Sequence, residues 1–219
     1  MREGDLKRLV RRLPETPGFH RGKRPREFVV FVPLVLVEGE FHLLFEKRAR
    51  GIRQEQEICF PGGGVEKGVD GNVEEAAIRE TEEELGIDRS RITLLGRLDG
   101  IITNWGGVID VVVGTIASDA VESATPNPEE VERTLLVPVS FFESTPPEEY
   151  SLRVEIQPHY TDEAGVLHTL FPTRELGLPE RYWKPWTGHP HEIFVYRYDG
   201  ETIWGITAEL TRRIVSLLE

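Results

Sequence analysis

Residues 57–87 read Glu57-Ile58-Cys59-Phe60-Pro61-Gly62-Gly63-Gly64, then a spacer, then Arg79-Glu80-Thr81-Glu82-Glu83-Glu84-Leu85-Gly86-Ile87. The apolar run 58–60 predicts a short strand that Pro61 stops. Three consecutive glycines open backbone conformations closed to other residues, so a tight loop there brings its amides close to a ligand. Asn72 followed by Glu75 has the form of a capping box and predicts a helix opening near Val73, with Gly86 as its terminator. On that helix Glu80, Glu83 and Glu84 fall at i, i+3 and i+4 and share one face. Ile78, Thr81 and Leu85 lie on a different face, which would dock on a sheet. Like charges so placed repel by roughly 0.2–0.5 kcal/mol per pair on an exposed helix. A hard divalent cation reverses that sign, because Mg²⁺ prefers carboxylate oxygens and shares its other positions with water and phosphate. An isolated glutamate cluster would read as a solvated acidic face; the glycines in front of it point instead to a ligand site.

Gly63, the spacer, and Arg79-Glu80-x-x-Glu83-Glu84-x-Gly86-Ile87 resemble the signature of the Nudix hydrolases, which cleave a nucleoside diphosphate linked to another group. The resemblance implies an α/β fold, the Nudix α/β/α sandwich with a mixed β-sheet, and a loop–helix–loop catalytic box. It implies Mg²⁺ or Mn²⁺ held by Glu80, Glu83 and Glu84, with Arg79 orienting the glutamates by ion pairing. Gly62, Gly63 and Gly64 would then hold substrate phosphates. The first half of the motif departs from the family pattern. Residues 64–78 form a spacer of fifteen, two longer than usual, and Gly71 stands where the family's first glutamate falls. Asp70 and Glu66 are the two residues able to replace it in a lengthened loop.

Upstream, 28–37 and 41–47 predict strands joined at Glu38-Gly39-Glu40. Leu43-Leu44, Arg48, Ile52-Arg53-Gln54 and Phe60-Pro61-Gly62-Gly63 are similar to the coenzyme A pyrophosphatase branch of the family, which sets an arginine-containing segment before its Phe-Pro-Gly-Gly. Here that segment is Ile52-Arg53-Gln54-Glu55-Gln56-Glu57, one residue shorter and without the branch's histidine. Arg53 is expected either as a phosphate clamp or as a surface arginine. Downstream, 92–98 and 108–116 predict strands, the second β-branched enough to lie at the sheet's centre. Between them, Asn104-Trp105-Gly106-Gly107 is a loop for a substrate base or a cover for the core. Pro126-Asn127-Pro128-Glu129-Glu130-Val131 and the following Val137-Pro138 resemble the same branch closely. Several Nudix enzymes carry a water-activating glutamate on that loop, and Glu130 matches it best, with Glu129 next; Glu83 is the other choice for general base. Residues 193–198 predict a last strand, and a helix is expected from Ile203 with Ile206, Leu210, Ile214 and Leu217 as its apolar stripe.

The outer regions are less specific. Residues 1–27 read as a basic arm: the first 26 hold nine basic residues against three acidic, and Leu6, Leu9, Val10 and Leu13 have helical spacing. Residues 28–219 read as one domain, with an insertion at about 143–190 expected to hold a short hairpin and an irregular loop that selects substrate or makes a dimer contact. His159, His168, His189 and His191 have no metal-ligand spacing on a helix and are read as structural. A net charge of −12 over 219 residues argues against a dedicated nucleic-acid binder. Cys59 is the lone cysteine, read as a core residue; it excludes an intrachain disulfide and fits a reducing compartment. The run 28–37 is too short to span a bilayer, no signal peptide is visible, and a cytoplasmic location is expected. The expected function is metal-dependent pyrophosphohydrolysis of a nucleoside diphosphate derivative. Coenzyme A or an acyl-coenzyme A is favoured over ADP-ribose, reduced dinucleotides and nucleotide polyphosphates, and a homodimer is expected by family analogy. The alternatives are a nucleotide-binding module without turnover and an acidic structural domain.

Overall fold

The computed structural model describes Arg11 and residues 27–103, 107–188 and 190–218. The expected helix on Leu6, Leu9, Val10 and Leu13, the Asn104-Trp105 loop tip and His189 lie outside the described residues. Strands β1 (Glu27–Val37) and β2 (Glu40–Arg48) form the expected hairpin, turning at Glu38 and Gly39. Strand β1 reads as a nearly continuous apolar run because helices cover both faces of its sheet, and β2 carries the shorter run Leu43-Leu44-Phe45 between polar ends. Strand β1 pairs in parallel with β6 (Val108–Ile116) from Glu27 to Val35, and β6 pairs antiparallel with β5 (Ile92–Ile102).

On its other side β1 changes partner midway. Residues 34–37 pair with β2, whereas residues 28–30 pair with β4 (Gly62–Gly64). Beyond the exchange β2 pairs through Glu46 and Lys47 with β3 (Ile58–Cys59), and from His42 to Arg48 it also pairs with β7 (Val131–Pro138). The glycine run, expected as a loop, is therefore an extended segment laid against β1. Pro61 steers it there, its carbonyl accepting from Phe31 N at 2.8 Å. The split between β1 and β2 is the feature that builds the site.

Helix α1 (Val73–Leu85) buries Ala76, Ala77, Thr81 and Leu85 against Val29, Phe31, Val35 and Leu44 on one face of the sheet. The short α2 (Ser118–Glu122) adds Ala120 to the same side. On the opposite face, α3 (Val139–Ser144) and α4 (Gly205–Val215) contribute Phe142, Leu210 and Ile214 to a core with Leu43, Phe45 and Val111. This is the expected helix–sheet–helix layering around a mixed sheet. Asn72 Oδ1 accepts from Glu75 N at 2.8 Å, while the Glu75 carboxylate reaches Gly71 N at 2.9 Å rather than Asn72 N, a capping box displaced by one residue. Asn72→Ala is expected to cost about 1 kcal/mol, read as a lower urea midpoint with an unchanged m-value.

Two expectations change near the C-terminus. Ile203 and Trp204 belong to strand β14 (Glu201–Trp204), not to the final helix, because they pair with Tyr196 and Val195 of β13 (His191–Tyr198). The helix starts at Gly205, and Leu217 lies exposed beyond its end. Residues 143–190 hold more strand pairing than expected. There β8 (Glu148–Leu152) extends β13, β9 (Glu155–Ile156) pairs with β12 (Trp186–Thr187), and β10 (His159–Thr161) pairs with β11 (Leu167–Thr169). His168 stacks on Tyr160 and lies 2.7 Å from the Asp162 carboxylate, a structural role. Among the described residues no helix is long and apolar enough to cross a membrane.

Candidate functional site

The acidic face of α1 meets β4 where β1 exchanges partners. Gly62 N donates to Glu84 Oε2 at 2.8 Å, and Glu84 is 5% exposed. A Cβ on Gly62 would lie 2.3 Å from Val29 O, and one on Gly63 would lie 2.5 Å from the Glu80 carboxylate. The space beside Gly64 is open, so two of the three glycines are required by close approach and the third is not.

Arg79 organises the opposite side of the helix. Its Nε and Nη2 donate to the Asp70 carboxylate at 3.0 and 3.1 Å, Nη1 donates to Glu83 Oε2 at 2.8 Å, and Nη2 reaches Gly64 O and Glu80 Oε1, each at 3.0 Å. Of the two candidates for the displaced first glutamate, Asp70 takes Arg79, whereas Glu66 supplies its backbone amide to Asp70 Oδ2 at 2.7 Å. The lengthened spacer is thus taken up by a turn in which Val69 N and Asp70 N donate to Glu66 O. Hydrogen bonds from Arg79 hold the Asp70 carboxyl below its ordinary value, and Asp70 in turn strengthens the hold of Arg79 on its proton.

The other carboxylates are pushed the opposite way. Burial raises Glu80, with Arg79 partly offsetting it. Burial first, and then the charge of Glu46, push Glu84 up to about 9. Glu46 was not singled out in the sequence. On β2, Leu44 faces the core beneath α1 and Phe45 the opposite core, so alternation returns Glu46 to the α1 side. It is 1% exposed, and burial pushes it up to about 7. Its Oε1 accepts from Cys59 Sγ at 3.3 Å, and among the described residues its Oε2 has no hydrogen-bond partner. A charged residue in the apolar run Leu43-Leu44-Phe45 at an inward-facing parity was the available signal. Burial and Glu46 push the Cys59 thiol up, consistent with a packing residue rather than a nucleophile.

Glu130 joins this neighbourhood from the far side. Ala49 N donates to Glu130 O at 2.8 Å, Glu130 N to Asn127 O at 3.0 Å, and Asn127 N to Glu84 O at 2.8 Å. The loop is thereby tied both to the end of β2 and to α1, and the Glu130 charge helps raise Glu46, Glu80 and Glu84. Glu83 is exposed and turned to Arg79. Among the described residues, no three His, Cys, Asp or Glu side chains converge as a preformed cation cage. Arg79 and Gly62 engage helix carboxylates that such a cage would use.

A cavity of about 440 Å³ opens beside Gly62, toward α4, with Arg48, Gln54, His191, Ile193 and Trp204 in its wall. Arg53 is exposed and does not line it; its carbonyl accepts from Arg48 Nε at 3.1 Å. The arginine on the cavity is therefore Arg48, and Arg53 acts on it through the backbone. His191, read as structural from spacing alone, sits on the cavity wall.

The family model described as NUDIX domain matches residues 25–157. The chain is 33% identical over 192 residues to Nudix hydrolase 3 of Caenorhabditis elegans, covering 86% of this chain and 72% of that protein. It is 26% identical over 197 residues to the mitochondrial coenzyme A diphosphatase of Mus musculus, covering 89% and 79% of the two. To the peroxisomal coenzyme A diphosphatase of Mus musculus it is 32% identical over 117 residues, covering 53% of this chain and 48% of that one.

Proposed function

Because the chain belongs to the Nudix hydrolase family, we propose that it is a pyrophosphohydrolase using Mg²⁺ or Mn²⁺, with coenzyme A or an acyl-coenzyme A as substrate. The observation that carries this reading is the double use of Gly62, whose amide holds Glu84 and whose backbone lines the cavity. A diphosphate entering past Gly62 meets the carboxylate face of α1 at one end and the cavity at the other. The cavity has polar residues in Arg48 and Gln54 and apolar ones in Ile58, Trp204 and Leu210. That mixture suits a molecule with phosphates at one end and a flexible amide arm beyond them. The two Mus musculus relatives named as coenzyme A diphosphatases support the same choice.

Glu80, Glu83 and Glu84 offer the hard oxygen donors a divalent cation takes, and the unpartnered buried oxygen of Glu46 fits positive charge nearby. When bound, the cation supplies the charge that offsets the diphosphate. Arg48 is suited to donate to phosphate oxygens in bidentate fashion. Arg79 orients Glu80 and Glu83 through its ion pairs. Glu130, exposed on its tethered loop, accepts the proton of the attacking water as a phosphorus–oxygen bond forms and the anhydride bond breaks. Glu83 is the weaker choice for that base, since Arg79 engages its carboxylate.

A mass-spectrometric product screen with Mg²⁺ and with Mn²⁺ tests this, comparing wild type with Glu83→Gln. The panel is coenzyme A, acetyl-coenzyme A, ADP-ribose, NADH, diadenosine polyphosphates and nucleoside triphosphates. Phosphopantetheine and adenosine 3′,5′-bisphosphate are expected from coenzyme A, at a rate lowered about 100-fold in the variant. Turnover of another diphosphate alone would keep the reaction and remove coenzyme A. Binding without turnover would replace the enzyme by a nucleotide-binding module.

A further inference from the structure

We propose that Glu46 is a further ligand of the divalent-cation site, supplied by the sheet rather than by the helix; this rests on the metal-dependent reading above. A carboxylate withdrawn from water with one oxygen unpartnered is a situation native structures avoid unless something else completes it. Glu46 is 1% exposed, and its Oε2 is the buried side-chain atom without a partner among the described residues. The thiol of Cys59 serves only Oε1, and a thiol is a weak donor.

The missing partner is positively charged. Three of the charged groups that act on Glu46 or on which it acts are Glu80, Glu84 and Glu130, all of like sign. The nearby cations are committed elsewhere. Lys47 Nζ bonds Glu201 at 2.8 Å, Arg133 also goes to Glu201, and Arg79 is held by Asp70, Glu80 and Glu83. Arg48, which acts on Glu46 at longer range, directs its Nε to Arg53 O. Glu46 and Glu84 are thus the two buried carboxylates of this neighbourhood that Arg79 does not hold. They come from different elements, β2 and α1, so a cation between sheet and helix would draw on both. Hard oxygen donors of this kind select Mg²⁺ or Mn²⁺ over softer metals.

The test uses the full chain and Mn²⁺ itself. Free Mn²⁺ is followed by electron paramagnetic resonance and bound Mn²⁺ by calorimetry, for wild type, Glu46→Gln and Glu46→Asp, alongside the rise in Tm that Mn²⁺ produces. Glu46→Gln is expected to bind roughly tenfold more weakly or to lose one equivalent, with a smaller Tm rise, and Glu46→Asp to recover part of both. Unchanged stoichiometry, affinity and Tm rise in a folded Glu46→Gln would overturn the inference while leaving the metal-dependent reading in place. Absence of Mn²⁺ binding by wild type would overturn both. Should Glu46→Gln not fold, the decision falls to Glu46→Asp, with Cys59→Ala, which removes only the contact to Oε1, as the packing control. A folded Glu46→Asp that binds Mn²⁺ more weakly than both wild type and Cys59→Ala supports the inference, and one with unchanged affinity and Tm rise overturns it.

Discussion

Gly62→Ala is expected to remove about 3 kcal/mol or more of stability, whereas Gly63→Ala removes activity from a folded protein. At Gly62 the added Cβ meets Val29 O at 2.3 Å and Val30 Cα at 2.9 Å, with φ at +152°. Those atoms belong to β1, which β6 pairs from Glu27 to Val35, so the backbone cannot yield cheaply. At Gly63 the obstruction is the Glu80 carboxyl group, the free end of a flexible side chain. It can swing aside for less than about 1 kcal/mol, but a displaced Glu80 leaves the position proposed for a cation ligand, and turnover is expected to fall about 100-fold. Gly64→Ala, with nothing in its way, is expected to stay within about 0.5 kcal/mol of wild type. Urea unfolding and turnover of the three variants give the comparison. A Gly62→Ala protein as stable as wild type would contradict the pairing of β4 with β1.

Protein stripped of metal with EDTA is expected to lose stability as pH rises from about 5 toward 9. Glu46 and Glu84 have folded-state values of about 7 and about 9, both above the ordinary 4.5. The folded chain therefore binds these protons more tightly than the unfolded chain. Their contribution is full below pH 4.5 and is lost as pH rises through the folded values. Asp70 works in the opposite sense but only near and below its ordinary 3.8, outside this window. Glu46→Gln is expected to flatten the lower part of the curve. Added Mn²⁺ is expected to raise stability most at the alkaline end, where the carboxylates it binds are ionised. Thermal unfolding at stepped pH, with EDTA and with Mn²⁺, reads both effects. A wild-type curve in EDTA that rises over this range would contradict the burial of these two groups.

The parts of the site that were legible in the sequence are those set by neighbours within a turn or two. Asn72 and Gly86 bound α1 because the groups that cap it are local, and the glutamate spacing places three carboxylates on one face whatever the helix packs against. The hairpin of β1 and β2 followed from its apolar runs and its Glu38-Gly39 turn. Ile203 and Trp204 misled because apolar residues before a helix read equally well as its first turn; pairing with Tyr196 and Val195 decided otherwise. Motif position leaves Arg53 either a phosphate clamp or a surface arginine, because cavity access depends on which way the turn after β2 folds, and that turn puts Arg48 on the cavity.

By itself, then, the sequence determined the acidic helix with its caps and the glycines before it, because local geometry and hydrophobic periodicity carry that information, and the layered α/β class through the resemblance its motif carries. The tertiary structure alone decided that β1 exchanges β2 for β4, that Asp70 rather than Glu66 takes Arg79, and that Glu46 is buried beside Glu84 with an oxygen left over. The physical reason is the range of the interactions. Strand exchange and the burial of Glu46 depend on pairing between segments distant in the chain, and the electrostatics of a carboxylate follow from what surrounds it after packing.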